Sequence, residues 1–249
     1  MQAVTAQASN RAARPFSLRV GRGVTHQGTI RSQNEDAFVD RSDIGLWAVA
    51  DGAGGHGDGN VASSAVAAAL SDMPQGLSAA EILAQVRLRL AGVHAELQRR
   101  AAERASGDVI VTTVVVLMAR GDHFACLWAG DSRAYLLRDG ALRQMTRDHS
   151  LVQELVDAGS LAPEDAEAHP HANIITRAVG SEEPLQLDKV AGTLLPGDVI
   201  LLCTDGLFKA LREPEMAHLL AAGAGPQELL DTALKAGARD NVTLLVVKP

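Results

Sequence analysis

Three short apolar runs in this chain each close on an aspartate. Residues 46–50 deliver Asp51, residues 126–130 deliver Asp131, and residues 199–204 deliver Asp205. Two more aspartates hold the mirrored position just before a run: Asp36 before residues 37–40, and Asp240 before residues 242–247. Short aliphatic and β-branched runs bounded by Gly or Asp read as buried strands. A carboxylate at the end of a buried strand is costly unless donors or a cation satisfy it, and several together repel one another. Two readings stay open at this point. One is ordinary Asp-Gly turn chemistry. The other is an all-oxygen site for Mg2+ or Mn2+. Asp139-Gly140, between the runs 133–138 and 141–145, is a plain hairpin turn.

Between these runs the pattern alternates strands with helices. A first strand is expected over 16–24. A helix over 59–70 is small and apolar nearly all round. A second helix, from the capping box Ser78-Ala79-Ala80-Glu81 to about 104, carries a stripe of Ile82, Val86, Leu90, Val93 and Leu97. His94 beside that stripe reads as a packed residue rather than a ligand. Residues 109–119, 123–128, 133–138 and 141–145 form an antiparallel meander. Residues 147–180 contain a short helix over 151–158, a Pro- and acid-rich stretch and His169-Pro170-His171, and read as an excursion from the sheet. Strands over 185–194, 199–203 and 242–247 and helices over 214–222 and 225–236 complete the chain.

At 249 residues the chain suits one large domain or two small ones. With aromatics at 3% of a chain that is 47% hydrophobic, the core must be aliphatic. A formal charge of −7 and a pI near 5.6 argue against a broad nucleic-acid face. Cys126 and Cys203 lie inside apolar runs, which predicts buried free thiols in a reducing compartment. No apolar run approaches a membrane span. Residues 1–15 read as a flexible leader, and the location expected is cytoplasmic.

Gly52-Ala53-Gly54-Gly55-His56-Gly57 matches G-x-G-x-x-G, and Asp72 stands about twenty residues on, as a dinucleotide site would require. The surroundings count against that function. Asp72 lies near the end of the same helix, a second helix follows where a parallel strand is needed, and a meander follows that. There is no Walker lysine. Neither cysteine has Arg six residues on, as a cysteine phosphatase needs, and Gly130-Asp131-Ser132 lacks the late Asp-x-x-His of a serine hydrolase, so Ser132 reads as a loop hydroxyl.

Taken together, seven segments in order resemble the metal-dependent protein phosphatase (protein phosphatase 2C-like) family in its compact bacterial form. They are Arg31-Ser-Gln-Asn34-Glu35-Asp36, Ala50-Asp51-Gly52-Ala-Gly-Gly-His56, Gly130-Asp131-Ser132-Arg133, Thr146-Arg-Asp148-His149-Ser150, Ile175-Thr176-Arg177-Ala-Val-Gly180, Thr204-Asp205-Gly206-Leu207 and Asp240-Asn241-Val242-Thr243. The resemblance spans nearly the whole chain from about Gly23. It implies an α+β fold: a four-layer α-β-β-α sandwich with two central antiparallel β-sheets, in one phosphatase domain over 16–249, with a flap subdomain at about 147–180. It also implies hydrolysis of phosphoserine and phosphothreonine in proteins by a metal-bridged hydroxide, opposing bacterial Ser/Thr kinases.

Carried over by position, Asp36, Asp51, Asp205 and Asp240 hold two Mn2+ or Mg2+ ions, with the Gly52 carbonyl assisting and Glu35 acting through a water. Arg31 binds the substrate phosphate as a fork. Asp131 matches a residue of a third, weaker metal site. The chain departs from the family pattern at Ala53, where some members carry a histidine as general acid. His56, three residues on, is the candidate for that role, against a purely loop-shaping one. The expected partners are phosphorylated proteins and a cognate Ser/Thr kinase, with no nucleic acid and no membrane, and the expected state is a monomer. Two other classes of function stand beside this reading: a catalytically weak member that only binds phosphoproteins, and the nicotinamide enzyme disfavoured above.

Overall fold

The computed structural model describes residues 20–54, 58–104 and 109–248. Two antiparallel sheets stack face to face. The first orders its strands β1 (Val20–His26), β11 (Val242–Lys248), β10 (Val199–Cys203), β7 (Arg133–Arg138) and β8 (Ala141–Gln144). The second runs β2 (Asp36–Arg41), β3 (Leu46–Gly54), β5 (Val114–Arg120), β6 (His123–Ala129) and β9 (Asp188–Thr193), with β4 (Ile110–Thr112) pairing to the far part of β3.

Alternation along the central strands builds three apolar layers at once. Trp47, Val49, Val115 and Leu117 face Ile200, Leu202, Leu245 and Val247 of the other sheet. Their neighbours Leu46, Ala48, Ala50, Val114 and Val116 turn outward onto α1 (Asp58–Ser71) and α2 (Ala79–Ala102). On the other side, Tyr135, Leu201, Cys203, Leu244 and Val246 meet α4 (Asp205–Phe208), α5 (Glu213–Ala221) and α6 (Pro226–Lys235). The result is the α-β-β-α sandwich. Both faces of each central strand are covered, which is why the runs are apolar throughout instead of alternating.

Several boundaries differ from the sequence expectation. The first strand runs Val20–His26 rather than 16–24, and residues 16–19 lie outside the described part. The stretch 109–119 is two strands broken at Thr113, whose side chain and backbone are taken by Asp51. β9 starts at Asp188 instead of 185. The largest difference is β3. It does not stop at Ala50 but carries Asp51 and Gly52 inside the strand as far as Gly54, because β4 supplies those residues with a partner.

Other readings hold. Ser78 forms the capping box with Glu81. Asp139 and Gly140 both take positive φ in the hairpin turn. His94 is buried, and its Nδ1 accepts from the Gly180 amide at 3.0 Å. Both cysteines are buried free thiols, and burial pushes Cys126 up to about 12. Among the described residues no helix is long and apolar enough to cross a membrane.

Residues 147–180 hold α3 (Leu151–Asp157), a single 3-10 turn at Pro163–Asp165 and isolated bridges, Ser150 to Ile175 and Val179 to Thr112. The base of this excursion is anchored by Arg133, which forks onto Asp148 at 2.7 to 3.1 Å and lies over the Phe208 ring.

Candidate active site

Five carboxylates, from Glu35, Asp51, Asp131, Asp205 and Asp240, open onto one cavity of about 320 Å3 at one end of the sandwich. Arg31, Gly52, Asn173 and Ile175 share its lining, and Asp36 stands just behind it, 8% exposed.

Asp36 and Asp51 are register partners on neighbouring antiparallel strands, so their side chains emerge side by side on one face. Like charges so placed destabilise the sheet unless something compensates. The Thr204 hydroxyl donates to Asp36 Oδ2 at 2.8 Å, while Asp36 Oδ1 is buried with no hydrogen-bond partner. Burial, then the charges of Asp205 and Asp240, outweigh the Thr204 and Thr243 hydroxyls and push Asp36 up to about 7. Asp51, enclosed by the fold yet open to the cavity, is raised well above the usual carboxylate range by burial and then by Asp36. Its backbone is locked to the strand break. Its amide donates to Thr113 Oγ1 at 3.0 Å, and its carbonyl accepts from the Thr113 amide at 2.8 Å and the Thr112 hydroxyl at 2.9 Å.

Two glycines let the site loops touch. A Cβ on Gly52 would stand 1.9 Å from the Gly59 carbonyl oxygen in the first turn of α1, and one on Gly206 would stand 1.9 Å from that of Asn241. Gly52 also donates to the Glu35 carbonyl at 3.1 Å. The glycines of this loop thus serve backbone contact as well as clearance.

The outer carboxylates are held differently. Arg31 forks onto Asp240, Nε to Oδ1 and Nη2 to Oδ2, both at 2.8 Å, and this hydrogen-bonded carboxylate raises its pKa. Lys209 stands 2.5 Å from Asp205 Oδ2. Asn241 organises the loop between them: its Oδ1 accepts from the Glu35 amide, and its Nδ2 donates to the Gln27 and Gln33 carbonyls, each at 2.9 Å. Glu35 Oε1 is buried without a partner. Asp131, also buried, is pushed up to about 7, by burial first and then by Asp205. Its neighbour Ser132 is the loop hydroxyl expected, 2.7 Å from Thr113 Oγ1.

Arg31, Glu35, Asp51, Gly52, Asp131, Asp205 and Asp240 therefore share one cavity, with Asp36 behind it. His56 lies outside the described residues. Sequence reasoning did not single out Thr113, Asn173, Lys209 or the supporting roles of Thr204 and Asn241. The last two fall inside quoted motifs, but their partners are 168 and 206 residues away.

The donor set fits hard divalent cations. It is all oxygen, it includes two orphaned buried carboxylate oxygens, and among the described residues its inner pair has no ion-pair partner. Among the described residues, no three candidate ligands already stand in a closed metal-binding arrangement. Asp205 and Asp240 are engaged by Lys209 and Arg31.

The chain belongs to the protein phosphatase 2C family, whose model matches residues 20–234. It is 36% identical to the serine/threonine phosphatase stp of Listeria monocytogenes over 90% of this chain and 93% of that one. Its fold matches that of PppA, described as a key regulatory component of T6SS in Pseudomonas aeruginosa. That match has a TM-score of 0.86 and 40% identity, over 94% of this chain and 99% of the other. The catalytic domain of the serine/threonine protein phosphatase PstP, solved with two manganese ions, matches with a TM-score of 0.77 and 33% identity over 92% and 97%. The chain is accordingly a serine/threonine protein phosphatase, and phosphorylated proteins are its substrates.

Proposed function

We propose that Asp36, Asp51, Asp205 and Asp240, with the Gly52 carbonyl, hold two divalent cations, Mn2+ or Mg2+, and that Glu35 joins them through a water. Bound there, the cations supply an acidified water as nucleophile and neutralise charge on the phosphoryl group. The chain's own residues do the rest. Thr204 holds the Asp36 carboxylate and Thr113 the Asp51 backbone, so little reorganisation is needed when charge develops. Arg31, more than half exposed at the mouth, turns its fork from Asp240 to the substrate phosphate, a geometry that lysine cannot reproduce. Asn173 and Ile175 form the wall against which the substrate chain lies, and residues 147–180 act as the flap that influences substrate choice. Asp131 stands at the edge where a third, weaker ion would enter. His56 delivers the proton to the leaving serine or threonine alkoxide.

The observation that carries this reading is the cross-strand pair Asp36 and Asp51, enclosed and without a cationic partner among the described residues. Purified protein with Mn2+ is expected to release phosphate from a phosphothreonine peptide, and Asp51→Asn or Asp205→Asn to abolish that release. No release, or an unchanged rate in either variant, contradicts it.

The enzyme acts as a cytoplasmic monomer opposing a bacterial Ser/Thr kinase. Its unpaired buried cysteines and its likeness to PppA support that setting. Phosphoproteomics of a deletion strain is expected to show phosphothreonine sites that accumulate. An unchanged phosphoproteome counts against it.

A further inference from the structure

One basic side chain at the edge of the site has no role in the reading above. Lys209 follows α4, and its ammonium lies 2.5 Å from Asp205 Oδ2 and 2.7 Å from Asn173 Oδ1. Lys209 is a cation in direct contact with the Asp205 carboxylate. The Lys209 side chain is 33% exposed and that of Asp205 13%, so the pair is partly withdrawn from water and less screened than a surface pair.

An ammonium and a divalent ion drawn to the same carboxylate edge repel each other, so each weakens the other's hold there. Lys209 also spans two parts of the fold. Asn173 belongs to the 147–180 excursion and lines the cavity, whereas Asp205 begins a helix on the first sheet. We infer that Lys209 is the resident cation of the Asp131–Asp205 edge of the site, where it competes with a third divalent ion and, through Asn173, ties the excursion to the carboxylate cluster. This rests on the two-ion reading given above. An ion that takes the place of Lys209 at Asp205 also releases Asn173 from the cluster, so occupancy of that edge and the position of the cavity wall are coupled.

Equilibrium dialysis of the full chain against Mn2+, with bound metal counted by emission spectroscopy, tests this. At free Mn2+ that saturates the tight sites, the unaltered protein is expected to bind two ions. Lys209→Met is expected to bind a third at least about tenfold more tightly than the unaltered protein does. The double variant Lys209→Met with Asp131→Asn returns to two. Thermal unfolding checks that Lys209→Met is folded. Lys209→Gln, which keeps a polar head near Asn173, provides the same comparison if it is not. A Lys209 variant that binds two ions and gains no third overturns the inference while leaving the two-ion reading intact, as does an unaltered protein whose third ion binds as tightly as the first two. An unaltered protein that binds none overturns the two-ion reading itself.

Discussion

The two sheets deliver carboxylates to the same cavity by different means. The second sheet places Asp36 and Asp51 in register on adjacent strands, deep in the fold, with backbone and hydroxyl partners but no cation among the described residues. The first sheet places Asp205 and Asp240 at its connections, where Lys209 and Arg31 each supply a positive charge. The inner pair is thus a standing electrostatic cost that a proton or a bound ion removes, and the outer pair is already compensated. A rigid inner pair sets where metal goes, and an exchangeable outer pair lets cations, substrate and side chains trade places.

Substitutions should separate the pairs. Asp51→Asn is expected to lower the phosphatase rate by at least about a thousandfold, on the order of 4 kcal/mol of barrier, in a phosphopeptide assay with Mn2+. It should also raise the unfolding temperature of the metal-free protein, because it removes the worst of the uncompensated charge. Asp240→Asn should lose activity without that gain in stability, since it breaks the Arg31 pair instead. Equal stability effects from the two would erase the distinction.

Gly52→Ala comes next. Its Cβ must push the Gly59 backbone away from the inner pair, at about 3 kcal/mol or more, read by urea unfolding. Thr204→Val removes the hydroxyl that donates at 2.8 Å to Asp36 Oδ2, and should weaken Mn2+ binding by about 10- to 100-fold in calorimetry. Arg31→Lys keeps the charge but loses the fork, and should raise KM for a phosphopeptide by about tenfold with a smaller change in kcat.

The smallest expected effect is on pH. Asp36 and Asp131 are raised to about 7 in the folded metal-free protein, against about 3.9 when unfolded. A raised carboxyl contributes its stability below the unfolded value and loses it as pH rises toward the folded one. The metal-free protein should therefore unfold at progressively lower temperature from about pH 4 to about pH 7, and Mn2+ should flatten that slope. A slope unchanged by Mn2+ would leave the inner carboxylates without their proposed partner.

Much of this was legible in the chain. The apolar runs marked the sheet strands, and the aspartates at their ends marked the cavity, because strand ends that carry charge need a reason. What stayed hidden depends on pairing across long separations. Nothing local to Gly52-Ala53-Gly54 says that β4 extends β3 past Asp51, and nothing local to Thr113 says that it breaks a strand to hold Asp51. Lys209 looked like an ordinary residue after Asp205-Gly206-Leu207-Phe208. Its meaning comes from Asn173, 36 residues earlier in the chain. The two sheets teach the same lesson, since only their stacking shows which aspartates are compensated.

The most direct test is thermal unfolding at neutral pH of the unaltered protein and Asp51→Asn, each with and without Mn2+. Without metal, the variant is expected to unfold at a higher temperature than the unaltered protein, and Mn2+ to stabilise the unaltered protein alone. A variant that unfolds at a lower temperature without metal, or that Mn2+ stabilises as much as the unaltered protein, would contradict it.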